Sequence, residues 1–316
     1  GSVTREDLRG MLRDGRLAPP EVLGAAPPLA ESLAPIYGTT QKVLVLLIEF
    51  ADTRFLYANE AAWAGMVFGT TGSTVNAYFL EVSRGGFHFD PAAETSGTAN
   101  DGVIKVLLPY NHPNTGNSHD TRNQTIVADA LVAANPYINY ATFDTDRSGG
   151  LSSSELHIVT VIAGYEYSYG GSDSPSVWGH KWSVWSPPTL DGVRVGSGGY
   201  TQQGERHGTH MMTIGILCHE LGHNLGLPDL YDYDYSSAGV GPYSLMAFGS
   251  WASVSGFSGS SPTHLDPYNK VRLGLVSPSV VSQDGVYSVN GSGPGTLYSV
   301  LKIPTANPKQ YFLIEN

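Results

Sequence analysis

Apolar positions follow two rhythms along this chain. Residues 43–50 (VLVLLIEF) and 157–163 (HIVTVIA) are nearly unbroken apolar runs of strand length, which predicts strands buried on both faces of a sheet. Residues 87–89 and 103–108 read as further strands. Helical spacing governs residues 73–82 (STVNAYFLEV), which Gly85-Gly86 closes, and residues 121–134, opened by Asp120 as a cap and closed by Pro136. It returns at residues 213–225, where Ile214, Leu217, Cys218, Leu221 and Leu225 fall on one side of the wheel. A short amphipathic stretch at 4–13 has Thr4 as a cap and Leu8, Met11 and Leu12 at helical spacing. Pro19, Pro20, Pro27, Pro28 and Pro35 then keep the chain extended, so residues 1–37 read as an N-terminal extension and a candidate pro-segment remnant. Beyond 225 come Tyr-, Ser- and Gly-rich turns and short strands. Helices and strands mixed around one sheet predict an α/β or α+β class.

Composition narrows the function classes. The 316 residues are long enough for a sizeable core. Only 14% of them are charged, and 38 Gly with 20 Pro point to a loop-rich globular chain. Seventeen Lys and Arg against 28 Asp and Glu give a net charge of −11, which opposes binding to nucleic acid or to an anionic membrane surface. No apolar run nears the ~20 residues that span a bilayer. Cys218 is the single cysteine and excludes an internal disulfide. Gly1-Ser2 has the look of a cloning remnant, and the acidic, Lys-poor composition leans towards a secreted bacterial enzyme.

Residues 218–229 (CHELGHNLGLPD) carry the chemistry. His219 and His223 stand four apart on the helix, opposite its apolar side, where both imidazoles can bind one ion. Glu220 lies beside the first, where a carboxylate can accept a proton from metal-bound water. Gly226 and Pro228 end the helix and let Asp229 turn back as a third ligand, although a plain turn residue would also suit that place. Two imidazoles and one carboxylate leave a fourth tetrahedral position open, the arrangement of catalytic zinc. The expected activity is zinc-dependent peptide hydrolysis: Glu220 takes the water's proton as hydroxide attacks the scissile carbonyl, then passes it to the leaving amine. The rival from another class is a binding or adhesion module with a structural zinc site, for which the base at Glu220 has no use.

The pattern HExxHxxGxxD resembles the metzincin clan of zinc peptidases in its variant with Asp as third ligand. That likeness implies a Met beneath the metal, a role that Met246 in Ser244-Leu245-Met246 fits, 17 residues past Asp229. It often places a Tyr two residues after that Met, in contact with the reaction intermediate; here Phe248 stands there, leaving Tyr243 as the candidate stabiliser. Residues 213–232 (TIGILCHELGHNLGLPDLYD), 241–251 (GPYSLMAFGSW) and 261–278 (SPTHLDPYNKVRLGLVSP) look like the immune inhibitor A family of secreted bacterial metallopeptidases. Residues 73–89 and 178–185 (WGHKWSVW) are similar to other blocks of it. The resemblance spans roughly residues 40–316 and implies a secreted zymogen acting on protein or peptide substrates. It further implies a metzincin-like catalytic domain at 38–316, with an upper part (38–226) and an irregular lower part (227–316) below the active-site helix. A monomer is expected, with no nucleic-acid or membrane partner.

A second metal site is read at 144–155 (DTDRSGGLSSSE). Asp144, Asp146 and Ser148 occupy positions 1, 3 and 5 of a twelve-residue EF-hand calcium loop. Gly149 stands at position 6, Gly150 offers its carbonyl at 7, Leu151 is the apolar position 8, and Glu155 is the bidentate ligand at 12. A strand follows where an EF-hand has a helix, so a structural calcium loop grafted on the sheet is expected. His207 and His210 read as a loop, His180 and His264 as local hydrogen-bonding residues, and Asp232 with Asp234 as a polar turn. Asp7 and Asp14 are the acidic groups through which the extension could reach the zinc.

Overall fold

In the computed structural model, residues 21–22, 33–116, 120–171, 173–234, 236–291, 297–307 and 309–316 are described. The helix expected at 4–13, with Asp7 and Asp14, lies outside them. Nine strands form one mixed sheet in the order β1 (Glu21–Val22), β7 (His180–Trp182), β10 (Tyr200–His207), β5 (His157–Glu166), β2 (Thr39–Glu49), β3 (Phe87–Pro91). β4 (Val103–Leu107) continues on β2 past the end of β3, β6 (Ser176–Val177) adds to β5, and β11 (His210–Met211) folds back on β10. The strands β2, β3, β4, β5 and β10 are parallel, whereas β7 runs antiparallel to β10.

The run at 43–50 serves two cores, as its unbroken hydrophobicity requires. Val43, Val45 and Leu47 face one side, with α1 (Glu60–Phe68), α2 (Val75–Val82) and α4 (Ile214–Asn224). Leu44, Leu46 and Ile48 face the other, against α3 (Arg122–Ala134). All six are fully buried, each stabilising the fold by ~1.5–3 kcal/mol. The mixed α/β class read from the sequence is the one observed.

Two elements escaped the hydropathy pattern. α1 begins at Asn59 without a side-chain cap bond. β10 reads YTQQGERH, yet Gln202, Gln203 and Glu205 are fully buried between β5 and β7. Tertiary bonds make that tolerable: Gln202 Nε2 donates to Asn123 Oδ1 at 3.1 Å, Gln203 Nε2 to Thr160 O at 2.7 Å, and Glu205 accepts from Tyr57 N at 2.5 Å.

Part of the extension is tied into the fold. β1 pairs in parallel with β7, Glu21 opposite His180 and Val22 opposite Lys181. Ile36 N donates to Leu273 O at 3.0 Å. Past Leu225 the chain makes 3-10 turns at Gly241–Tyr243 and Phe248–Trp251, then α5 (Pro267–Arg272) and a small sheet of β12 (Ser279–Val280), β13 (Leu301–Pro304) and β14 (Tyr311–Ile314). Among the described residues no helix is long and apolar enough to cross a membrane.

Candidate metal centre

Helix α4 is buried on every side, not on its apolar side alone. Ile214, Leu217, Cys218, Leu221 and Leu225 join the first core, while His219 and Glu220 are also fully covered. The expected C-terminus is present: Gly226 takes φ +89°, and Leu227 N closes the last turn on Gly222 O at 3.0 Å. That turn swings Asp229 back beneath the histidines.

His219 Nε2 and His223 Nε2 lie 3.0 Å apart, and each is 3.1–3.2 Å from Asp229 Oδ1. Nδ1 of His219 faces Leu245 O and Nδ1 of His223 faces Leu227 O, both at 2.8 Å. A carbonyl oxygen only accepts, so each Nδ1 carries a proton and each Nε2 is the ring nitrogen turned to the cluster. Three atoms able to ligate an ion therefore converge, and Asp229 Oδ1 is buried without a hydrogen-bond donor. A cation is what satisfies such a cluster. The spacing suits one: ligands ~2.0 Å from a tetrahedral centre stand ~3.3 Å from one another. His219, His223 and Asp229 together fit a metal ion.

Both oxygens of Glu220 are buried without a partner. Burial pushes its carboxyl up to about 8, against the pull of His219, while Asp229 and Glu166 push the same way. Met246, fully buried, packs under the helix, where a Cβ on Gly222 would lie 2.5 Å from its Sδ. Its turn is braced from α5: Ser244 Oγ donates to Asp266 Oδ2 at 2.7 Å and accepts from Met246 N at 3.1 Å, while Asp266 also caps Asn269 N at 3.1 Å. The carbonyl that orients His219 is thereby fixed in place.

Tyr243 is 68% exposed and lines a cavity of about 790 Å³ with Thr74, Tyr78, Thr263 and His264; no metal-centre residue lines that cavity. The tyrosines beside the cluster are others. Tyr233 Oη donates to Asp229 Oδ2 at 3.3 Å, and buried Tyr231 stacks on Phe248 at 6.3 Å. Their closeness to Asp229 in the sequence was the signal for them. Two charged groups had no such signal. Glu166 is fully buried and accepts from Ser168 N, Ser168 Oγ, Gly179 N and Gly204 N, pinning β5, β10 and the approach to β7 together. Lys181, on β7, is held below its usual range by burial while the Glu220 carboxylate pulls it back up.

The second loop also assembles. Carboxylate oxygens of Asp144, Asp146 and Glu155 lie within 4.8 Å of one another. Ser148 N donates to Asp144 and Asp146, and Ser148 Oγ reaches Gly150 O at 2.9 Å, so the five expected ligands share one turn. Leu151 is buried in the second core. A hairpin of β8 (Thr189–Leu190) and β9 (Val193–Arg194) stitches the loop down, with Leu151 N on Arg194 O at 2.9 Å. β5 follows, as expected, where an EF-hand has a helix.

The residues set aside hold structure. His180 bridges Trp178 O and Tyr200 Oη, and His264 pairs with Glu81 at 2.8 Å. His207 and His210 end β10 and begin β11, packed on Tyr169, instead of lying in a loop. Asp232 and Asp234 accept from their own turn, through Ser237 N and Ser236 N.

Several known proteins are similar to this chain. Immune inhibitor A from Bacillus thuringiensis subsp. alesti is 26% identical over 278 residues, covering 72% of this chain and 39% of that protein. The pre-pro-metalloprotease PrtV of Vibrio cholerae serotype O1 (strain M66-2) is 27% identical over 275 residues, covering 74% of this chain and 30% of that protein. The chain thus spans well under half the length of these relatives. Among solved structures, wild-type OgpA from Akkermansia muciniphila aligns over 85% of this chain and 72% of its own at 15% identity, with a TM-score of 0.36. Residues 73–274, well over half the chain and including the whole metal cluster, match the family described as immune inhibitor A peptidase M6, catalytic domain, and the chain belongs to that family.

Proposed function

We propose that this chain is the catalytic domain of a secreted, zinc-dependent, metzincin-like endopeptidase that hydrolyses peptide bonds in protein or peptide substrates. The observation that carries this reading is the convergence of three acceptor atoms from His219, His223 and Asp229 beside an orphaned, buried Glu220 carboxylate. Zinc held by those three residues would supply Lewis-acid polarisation of the scissile carbonyl and a water acidified towards pKa ~7.

This chain's own groups do the rest. Leu245 O and Leu227 O hold the imidazoles in the Nδ1–H tautomer. Glu220, whose carboxylate oxygens have no hydrogen-bond partner of their own, is placed to take a proton from the attacking water and return it to the leaving amine. A structural site has no use for that unpaired carboxylate, whose burial without partners is costly, and this disfavours a non-catalytic binding module. Met246 supports the cluster from below. Secretion and synthesis as a zymogen are supported by the likeness to a relative named as a pre-pro-metalloprotease.

We also assign Asp144, Asp146, Ser148, Gly150 and Glu155 to a structural calcium ion, because these groups meet in one turn with the EF-hand order of ligands.

The test of the enzyme is Glu220→Ala. The variant should bind one zinc as the unsubstituted protein does and lose about 10³-fold or more of its cleavage of casein, on the scale of removing a group essential to the chemistry. Undiminished, chelator-sensitive cleavage by zinc-loaded Glu220→Ala would sink the assignment.

A further inference from the structure

Two glycines fix how helix α4 lies against β7. Gly179, just before the strand, and Lys181 are two apart and share one face, while His180 turns to the other and meets Tyr200 Oη at 3.2 Å. On α4, Ile216, Glu220 and Asn224 are four apart and form one stripe. A Cβ on Gly179 would stand 3.0 Å from Ile216 Cγ2, which sets the start of the stripe against the start of the strand. Two residues of strand advance ~6.6 Å and four of helix ~6 Å, so the next pair along is Lys181 over Glu220. The far end agrees: a Cβ on Gly199 would stand 3.1 Å from Lys181 Cε and 3.2 Å from Asn224 Oδ1.

We infer that Lys181 and Asn224 position Glu220, the ammonium and the amide together holding its carboxylate in one orientation for proton transfer. This rests on the peptidase reading above and adds two positioning residues to it. The groups are complementary. Both oxygens of Glu220 and both polar atoms of Asn224 are buried without a hydrogen-bond partner among the described residues. An amide N–H one helical turn from a carboxylate is within side-chain reach of it. A half-buried ammonium in turn needs a counter-charge, and Glu220 is the charge that acts on Lys181 against the effect of burial. Glu166, the other buried carboxylate near this strand, spends its oxygens on Ser168 N, Ser168 Oγ, Gly179 N and Gly204 N. Asn224 is itself held in place, since Ser153 Oγ donates to its carbonyl at 3.0 Å. Gly199, at φ +124°, admits both side chains, because any larger residue there would crowd them. Neither Lys181 nor Asn224 exchanges a proton in this role.

The test compares Lys181→Met, Lys181→Arg and Asn224→Ala with the unsubstituted zinc-loaded protein, and repeats Lys181→Met in a Glu220→Ala background. The readouts are bound zinc, melting temperature, and kcat and KM on one cleaved peptide. Lys181→Met and Asn224→Ala should each keep stoichiometric zinc and a KM within about twofold while losing kcat by about 10- to 100-fold, a part of what general acid–base catalysis supplies. Lys181→Arg, which keeps the charge, should recover kcat to within about threefold of the unsubstituted protein. In the Glu220→Ala background Lys181→Met should cost nothing further, because residues that act as a unit are not additive. Full kcat in both Lys181→Met and Asn224→Ala overturns the inference, and full kcat in one of them removes that residue from the role. An equal loss with and without Glu220, or a loss that follows bound zinc or melting temperature and is the same in Lys181→Arg, also overturns it, since the residues would then only support the fold. Asn224→Ala carries the same test should Lys181→Met not fold. An unsubstituted protein without chelator-sensitive cleavage overturns the peptidase reading itself, whatever the variants do.

Discussion

Gly222 sits between the two histidines, and its lack of a side chain is what lets Met246 rise against the helix. A methyl group there would stand 2.5 Å from Met246 Sδ. Gly222→Ala should therefore destabilise the protein by about 1–3 kcal/mol and weaken zinc binding, because Met246 and Leu245 share a turn and Leu245 O orients His219. Thermal melts and a competitive zinc titration check both parts; an unshifted melt with unchanged zinc affinity would refute the packing role. At this scale much was legible. The spacing of His219, His223, Gly226 and Asp229 specified the cluster, because a helix followed by a left-handed glycine leaves few places for the carboxylate. That Tyr231 and Tyr233 reach the Asp229 carboxylate was not legible, since it depends on how the turn after Leu230 folds. Tyr243 was chosen for its nearness to Met246 along the chain, yet it faces another cavity.

Among elements, the carboxylate cluster of the loop at 144–155 was readable because its spacing is local: Asp144, Asp146 and Glu155 meet within twelve residues. What the sequence did not announce is that the hairpin of β8 and β9 takes the place of a pairing loop. Calcium binding to the folded state alone should raise its stability by mass action. Removal with a calcium-selective chelator should lower the melting temperature by a few degrees, at about 2–4 °C per kcal/mol for a chain approaching this size. Glu155→Gln should melt low in calcium and respond little to the chelator; equal melting temperatures with and without calcium would rule out a structural ion. β10 is the contrary case. Its YTQQGERH looks like a surface segment, and only partners distant in the chain, such as Asn123, Thr160 and Tyr57, make its burial affordable.

At the scale of the whole molecule, burial decides the response to acid. Burial lowers the imidazoles of His157 and His207 to about 3 and that of His112 to about 4, against ~6.5 in an unfolded chain. All three are therefore neutral in the fold at pH 5, where the unfolded chain binds their protons. Stability fully present above pH ~6.5 should fall as the pH drops towards 4, each histidine contributing up to ~1.4 kcal/mol per pH unit. Urea midpoints at pH 7, 6, 5 and 4.5 measure it, and a midpoint constant across that range would contradict the burial argument. The sequence by itself determined the α/β class and the family, and its spacing pointed to the side chains that cluster at His219, His223 and Asp229 and at Asp144, Asp146 and Glu155, because periodicity and residue spacing are local properties. Only the tertiary structure decided that helix α4 is enclosed on all sides, that a polar strand lies inside the sheet, that the charges of Glu166 and Lys181 act on Glu220, and that Tyr231 and Tyr233 reach Asp229. Those facts depend on segments far apart in the chain meeting in space, and the pattern within any one segment carries no trace of its partners.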